Sequence, residues 1–152
     1  MASSGFHSLI LEIIRDYLKK MLKRAYIILT GEVGVRTNSG YRALDMGIFN
    51  FEKIKPYLNK DKILPVCPKI AIEIDTKAQL KEGEYMNYIY EKANDLLNSG
   101  TDKVIWILTK PKIILIAQKE KSWEIKKWND NVEVMENITF NLNELLKEVG
   151  LW

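Results

Sequence analysis

The sequence predicts an α/β (α+β) chain, a mixed β-sheet flanked by helices. Three observations carry that prediction. Apolar residues recur at helical spacing near the start, in the second half and at the end of the chain. Between these stretches lie short β-branched runs with the length and composition of strands. The resulting order, helix, strands, helix, strands, helix, suits a sheet covered by helices. With 152 residues, 47% of them hydrophobic and 28% charged, the chain has the balance of an ordinary globular protein. We read it as one domain, residues 1–152, long enough for a substantial core.

The elements follow in order. Ile10, Ile13, Ile14, Tyr17, Leu18 and Met21 keep helical spacing, so a helix is expected from about residue 6 to about 24. Lys19, Lys20, Lys23 and Arg24 suit the negative end of its dipole and read as a solvated helix end rather than a DNA contact. Residues from about 25 to 50 read as strands around the turn Thr37-Asn38-Ser39-Gly40. A short helix follows at Phe51 to Tyr57, and Pro65 and Pro68 lead into a strong strand, Lys69 to Thr76. A long helix is expected from about Glu84 to Asn98, stopped at Gly100. Lys103 to Leu108 and Lys112 to Ala117 form a hairpin across Thr109-Lys110-Pro111. A strand near Trp123 to Trp128 and a helix from about Asn141 to Val149 close the chain. No internal repeat or low-complexity segment is present.

Composition excludes several chemistries. The net charge of +3, from 23 basic and 20 acidic residues, permits a polyanionic partner without demanding one. Cys67 is the single cysteine, so no internal disulfide forms and a reducing compartment is the simplest reading. One cysteine and one histidine, His7, are too few for a zinc site, which leaves hard cations held by carboxylates. Glu12, Arg15 and Asp16 interrupt the apolar N-terminal stretch. That pattern fits neither a signal peptide nor a membrane span, and a cytoplasmic protein is expected.

Two strands and one helix carry the candidate chemistry. Side chains alternate between the faces of a strand. Ile70, Ile72, Ile74 and Thr76 therefore share one face, and Ala71, Glu73 and Asp75 the other. Two acids on a strand otherwise built for burial are costly unless paired or bound to a metal; an exposed edge strand is the alternative. In Tyr41 to Phe49, Asp45 shares its face with Ala43 and Gly47, whose small size leaves room to approach the carboxylate. On the long helix, Lys92 falls on the stripe of Tyr85, Ile89, Ala93, Leu96 and Leu97. It either snorkels to the surface or points toward the carboxylates. Asp45, Glu73 and Asp75 can hold one or two Mg²⁺ (or Mn²⁺) ions, and Lys92 can orient water or offset charge on a phosphate. No serine or cysteine nucleophile with a histidine base is expected, since His7 precedes the first helix. Gly31, Gly34 and Gly40 lack the spacing of a phosphate loop.

These residues resemble a known family. Tyr41-Arg42-Ala43-Leu44-Asp45 resembles an "R-x-P-D" strand, and Pro68-Lys69-Ile70-Ala71-Ile72-Glu73-Ile74 a "P-x-L-V-V-E-V" strand. Glu91-Lys92, with Leu96 to Gly100 and Val104-Ile105-Trp106-Ile107-Leu108, resembles the helix and strand that follow them, and Ile138 to Leu146 the closing segment. Over most of its length the chain is similar to the bacterial restriction-endonuclease family, expanded in cyanobacteria, of the PD-(D/E)XK nuclease superfamily. The resemblance implies a restriction-endonuclease-like mixed sheet flanked by helices, with Asp45 and Glu73 as metal ligands. The superfamily's basic pattern has its lysine two residues after the glutamate, where this chain has Asp75. The family's lysine stands on the following helix, where Lys92 matches it. Lys77 is a further candidate, one step beyond the usual place, and Leu44 replaces the family's proline. The chain begins near the family's first long helix, without the glycine-glutamate turn that most relatives carry ahead of it.

The expected function is a metal-dependent endonuclease acting on DNA. The alternative is a non-catalytic nucleic-acid-binding or assembly protein on the same fold. The segment Lys119 to Trp128 mixes Lys119, Lys121, Lys126 and Lys127 with Trp123 and Trp128, which suits either a nucleic-acid strand or a plain surface hairpin. A third option is an interaction module whose exposed hairpin forms a homodimer.

Overall fold

A computed structural model describes residues 2–75 and 82–152 of the chain. Ser4 caps the first helix, α1 (Gly5–Met21), by accepting the His7 N–H on its hydroxyl at 3.1 Å. The hairpin β1 (Tyr26–Thr37) and β2 (Gly40–Asn50) turns at Asn38-Ser39, and α2 (Phe51–Ile54) runs into a 3₁₀ turn at Lys55–Tyr57. Then come β3 (Ile70–Asp75), α3 (Glu82–Asn98), the hairpin β4 (Lys103–Leu108) and β5 (Ile113–Gln118), and β6 (Glu124–Lys127). A second hairpin, β7 (Val132–Met135) and β8 (Ile138–Phe140), precedes α4 (Leu142–Glu148). Gly100 ends the α3 turn with φ of 114°, a conformation that favours glycine.

The sheet has the strand order β1-β2-β3-β4-β5-β6. Only β3 and β4 pair in parallel, joined by the α3 crossover; the other neighbours are antiparallel. Both faces are covered. Ile10, Ile14 and Leu18 of α1, with Leu142 and Leu146 of α4, pack on Ile70, Ile72, Ile74, Ile105 and Ile107. On the opposite face Ile89, Ala93 and Leu96 of α3 pack on Ala71, Val104, Trp106 and Leu115. Because β3 is an interior strand, the exposed-edge explanation for its acids fails.

Three expectations need correction. The β7–β8 hairpin lies where no strands were expected. Its strands are four and three residues long, and it turns through Glu136-Asn137 with Asn137 at φ of 66°. Its inward residues Val132, Val134 and Phe140 are buried against the α1 side. Too few residues alternate there to signal a strand. Trp128 is 2% exposed, packed near Phe6 and Trp152, so it is not free to stack on a nucleic-acid strand. Trp123 stacks on Tyr90 at 5.5 Å. At Gly47 the small size serves packing rather than access: a Cβ there would meet the Phe49 ring at 2.7 Å. No helix among the described residues is long and apolar enough to cross a membrane.

Candidate active site

The site forms where one ladder of the sheet stops. β2 and β3 pair from Ile48↔Ile70 to Met46↔Ile72, whereas β3 and β4 continue to Asp75↔Leu108. Beyond Met46, side chains replace the missing rungs. The Asp45 N–H donates to Glu73 Oε2 at 2.7 Å, and the Ile74 N–H donates to Asp45 Oδ2 at 2.9 Å. The two carboxylates thus satisfy backbone donors beside the end of the ladder, and a cleft of about 560 Å³ opens there.

Each sheet face delivers one basic side chain to this gap. From α3, Lys92 Nζ donates to Glu73 Oε1 and, at 2.8 Å, to the Ala43 carbonyl. Its side chain is 6% exposed, so it does not snorkel. The ammonium lies 5.6 Å from the Trp106 ring centre and 5.8 Å from that of Tyr88, whose electron-rich faces favour a cation away from water. From α1, on the other face, His7 Nε2 lies 3.3 Å from Asp45 Oδ2.

Burial dominates the electrostatics. The Glu73 carboxyl is pushed up to about 7 by loss of water, with the Asp45 charge adding to the rise and Lys92 opposing it. For Lys92, burial works against the charged form, but the Glu73 carboxylate outweighs it and holds the ammonium above its usual value. A metal ion bound at this carboxyl would favour its ionised form over the protonated one.

The donor set fits a small hard cation. Asp45 Oδ1 has no hydrogen-bond partner among the described residues, its side chain is 26% exposed and it borders the cleft beside Glu73. Mg²⁺ and Mn²⁺ take one or two protein carboxylates and fill the remaining positions with water and phosphate oxygens. No group of three or more histidine, cysteine, aspartate or glutamate side chains is arranged as a preformed cage among the described residues.

The structure therefore brings Asp45, Glu73 and Lys92 into one cleft. Asp75 continues β3 in register with Leu108; its side chain, and Lys77 altogether, lie outside the described residues. Two cleft residues were missed from sequence. His7 stands in the first turn of α1, not ahead of the helix. The spacing His7, Ile10, Ile14, Leu18 extends the buried stripe one turn back, and that signal was available. Glu32 borders the cleft from a bulge in β1, where Gly31 and Glu32 have φ of 90° and 55° and the register shifts between Thr30 and Val33. A bulge re-aims a side chain against the strand's alternation, so periodicity gives no hint of it.

No family model matches the chain, and no curated protein matches it in sequence. In fold it is similar to the crystal structure of a "putative nuclease belonging to DUF820" from Anabaena variabilis ATCC 29413. The TM-score is 0.75 at 16% identity, over 97% of this chain and 83% of that one. At that identity the likeness establishes the fold, the expected mixed sheet flanked by helices.

Proposed function

We propose that this chain is a divalent-metal-dependent endonuclease of the PD-(D/E)XK type that hydrolyses phosphodiester bonds in DNA. The observation that carries the reading is the convergence of Asp45, Glu73 and Lys92 in one cleft at the end of the β2–β3 ladder. The fold shared with a protein described as a "putative nuclease" supports it. Asp45 and Glu73 hold Mg²⁺ or Mn²⁺, with Asp75 as a further carboxylate and Lys77 as a secondary basic group in the same proposal. The ion, when bound, activates water and offsets charge on the phosphate. Hydrolysis forms a bond from the water oxygen to phosphorus as that water gives up a proton to solvent, while the bond from phosphorus to the leaving sugar oxygen breaks and that oxygen takes up a proton from solvent. Lys92 contributes a fixed positive charge beside the reacting phosphate, in a site with little water to screen it. The buried Trp106 ring, 5.6 Å from the ammonium, helps to exclude that water. The Ala43 carbonyl and Glu73 hold the ammonium in place before substrate arrives.

Supercoiled plasmid with Mg²⁺ or Mn²⁺ tests this. The wild type should nick it, EDTA should stop the nicking, and identically purified Asp45→Ala and Glu73→Ala should leave it intact. Equal nicking by all three proteins would assign the activity elsewhere. Salt-sensitive DNA binding that survives Asp45→Ala, with no nicking, would favour the non-catalytic binder. Lys92 is distinguishable from the ligands: Lys92→Met should lose cleavage yet keep Mn²⁺, because it removes the cation that competes for Glu73.

A further inference from the structure

We propose that His7 is a positioning residue for Asp45, holding that carboxylate so that one oxygen is left for the cation. The inference rests on the metal-site reading above. Asp45 Oδ2 receives the Ile74 N–H at 2.9 Å and faces His7 Nε2 at 3.3 Å. A carboxylate oxygen only accepts, so the proton of this contact sits on Nε2. Two donors from different elements then fix Oδ2, which sets the plane of the carboxylate and leaves Oδ1 on the cleft side. With only the Ile74 contact, the carboxylate can turn about its single remaining hydrogen bond.

The placement of His7 is itself built. Its backbone N–H is held by the Ser4 cap, and Phe6 beside it packs near Trp128 and Trp152, with ring centres 5.8 and 6.3 Å away. Ile10, Ile14 and Leu18 bury the face of α1 that carries His7. The ring is 12% exposed, and Nδ1 is buried with no hydrogen-bond partner among the described residues. A buried polar atom without a partner carries a free-energy cost, and among the described residues the Asp45 contact is the polar interaction of this ring that offsets it. Orienting groups behind a metal ligand typically change metal affinity about 10–100-fold when removed.

The test measures Mn²⁺ affinity by electron paramagnetic resonance for the wild type, His7→Leu, His7→Gln and Phe6→Leu. Alongside it, melting temperature is followed with EDTA and with Mn²⁺. His7→Leu should weaken Mn²⁺ roughly 10–100-fold and lose most of the metal-induced rise in melting temperature. His7→Gln, which keeps an N–H donor, should recover part of both. Phe6→Leu should lower the melting temperature in EDTA and leave Mn²⁺ affinity unchanged. Unchanged affinity in His7→Leu overturns the proposal, as does an equal loss in Phe6→Leu, which would assign the effect to packing of the helix end. Failure of the wild type itself to bind Mn²⁺ overturns the metal-site reading and this inference with it. His7 is the only histidine in the chain, so a ¹⁵N spectrum of the unmutated protein provides a second readout that needs no variant to fold. A ring protonated at Nε2 is expected, and a ring protonated at Nδ1 alone would overturn the proposal.

Discussion

The sheet is built in two different ways on either side of β3. Toward β4 and β5 the ladders run without interruption from Ile70↔Lys103 to Asp75↔Leu108 and from Lys103↔Gln118 to Leu108↔Ile113, and every residue of β4 is buried. Toward β2 the ladder stops after Met46↔Ile72, and buried or half-buried ionisable groups fill the gap. The first half gains from apolar burial and regular backbone pairing, which stabilise without chemistry. The second gives up rungs and takes charges out of water, an arrangement that stabilises little by itself but leaves carboxylate oxygens beside a cleft. The contrast separates stability from activity in space, so substitutions in the two halves should have opposite signatures.

Asp45→Asn or Glu73→Gln, which keep the side-chain shape and an acceptor oxygen, should reduce plasmid cleavage by more than about 100-fold, beyond what loss of an orienting neighbour produces, with the folded state retained in EDTA. Ile105→Ala, in the regular half, should do the reverse. It removes a fully buried side chain and should cost about 2–5 kcal/mol in urea unfolding, while the folded fraction binds Mn²⁺ as the wild type does.

A smaller effect follows from the raised Glu73 carboxyl. In the metal-free protein the folded chain holds a proton that the unfolded chain has already released between an ordinary carboxyl value of 4.5 and about 7. The Glu73 contribution to stability is therefore fully present below about 4.5 and lost as pH rises to about 7. Urea midpoints in EDTA should fall over that window, a loss on the order of 1–3 kcal/mol, and Glu73→Gln should flatten the trend. Saturating Mn²⁺ should oppose the decline, because the ion binds the ionised form. The smallest effect is expected at Asp95, whose Oδ2 accepts from Thr37 and Ser39 at 2.7 Å and from Arg42 at 2.9 Å. It ties α3 to the β1–β2 hairpin away from the cleft, and Asp95→Ala should cost about 1–2 kcal/mol without altering cleavage per folded molecule.

The same contrast explains what the sequence revealed. The regular half was legible because its strands are unbroken apolar runs and its turn around Pro111 carries residues suited to reversal, as does the turn around Asn38 in the other half. Glu73 and Lys92 were legible because each breaks a pattern, an acid within a buried strand and a lysine on a buried helical stripe. That Asp45 would meet Glu73 depended on where the ladder ends, which no period encodes. His7 was missed because the stripe was begun at Ile10, one turn too late. Glu32 depended on a bulge, and the β7–β8 hairpin on strands too short to alternate visibly.

The most direct test is calorimetric titration of Mn²⁺ into the wild type and Glu73→Gln at pH 7.5, a substitution that keeps the shape of the side chain and removes its charge. One saturable site in the wild type, with affinity at least about tenfold weaker in the variant, is the predicted result. Equal affinity in the two proteins would contradict the claim that the end of the β2–β3 ladder is a metal site.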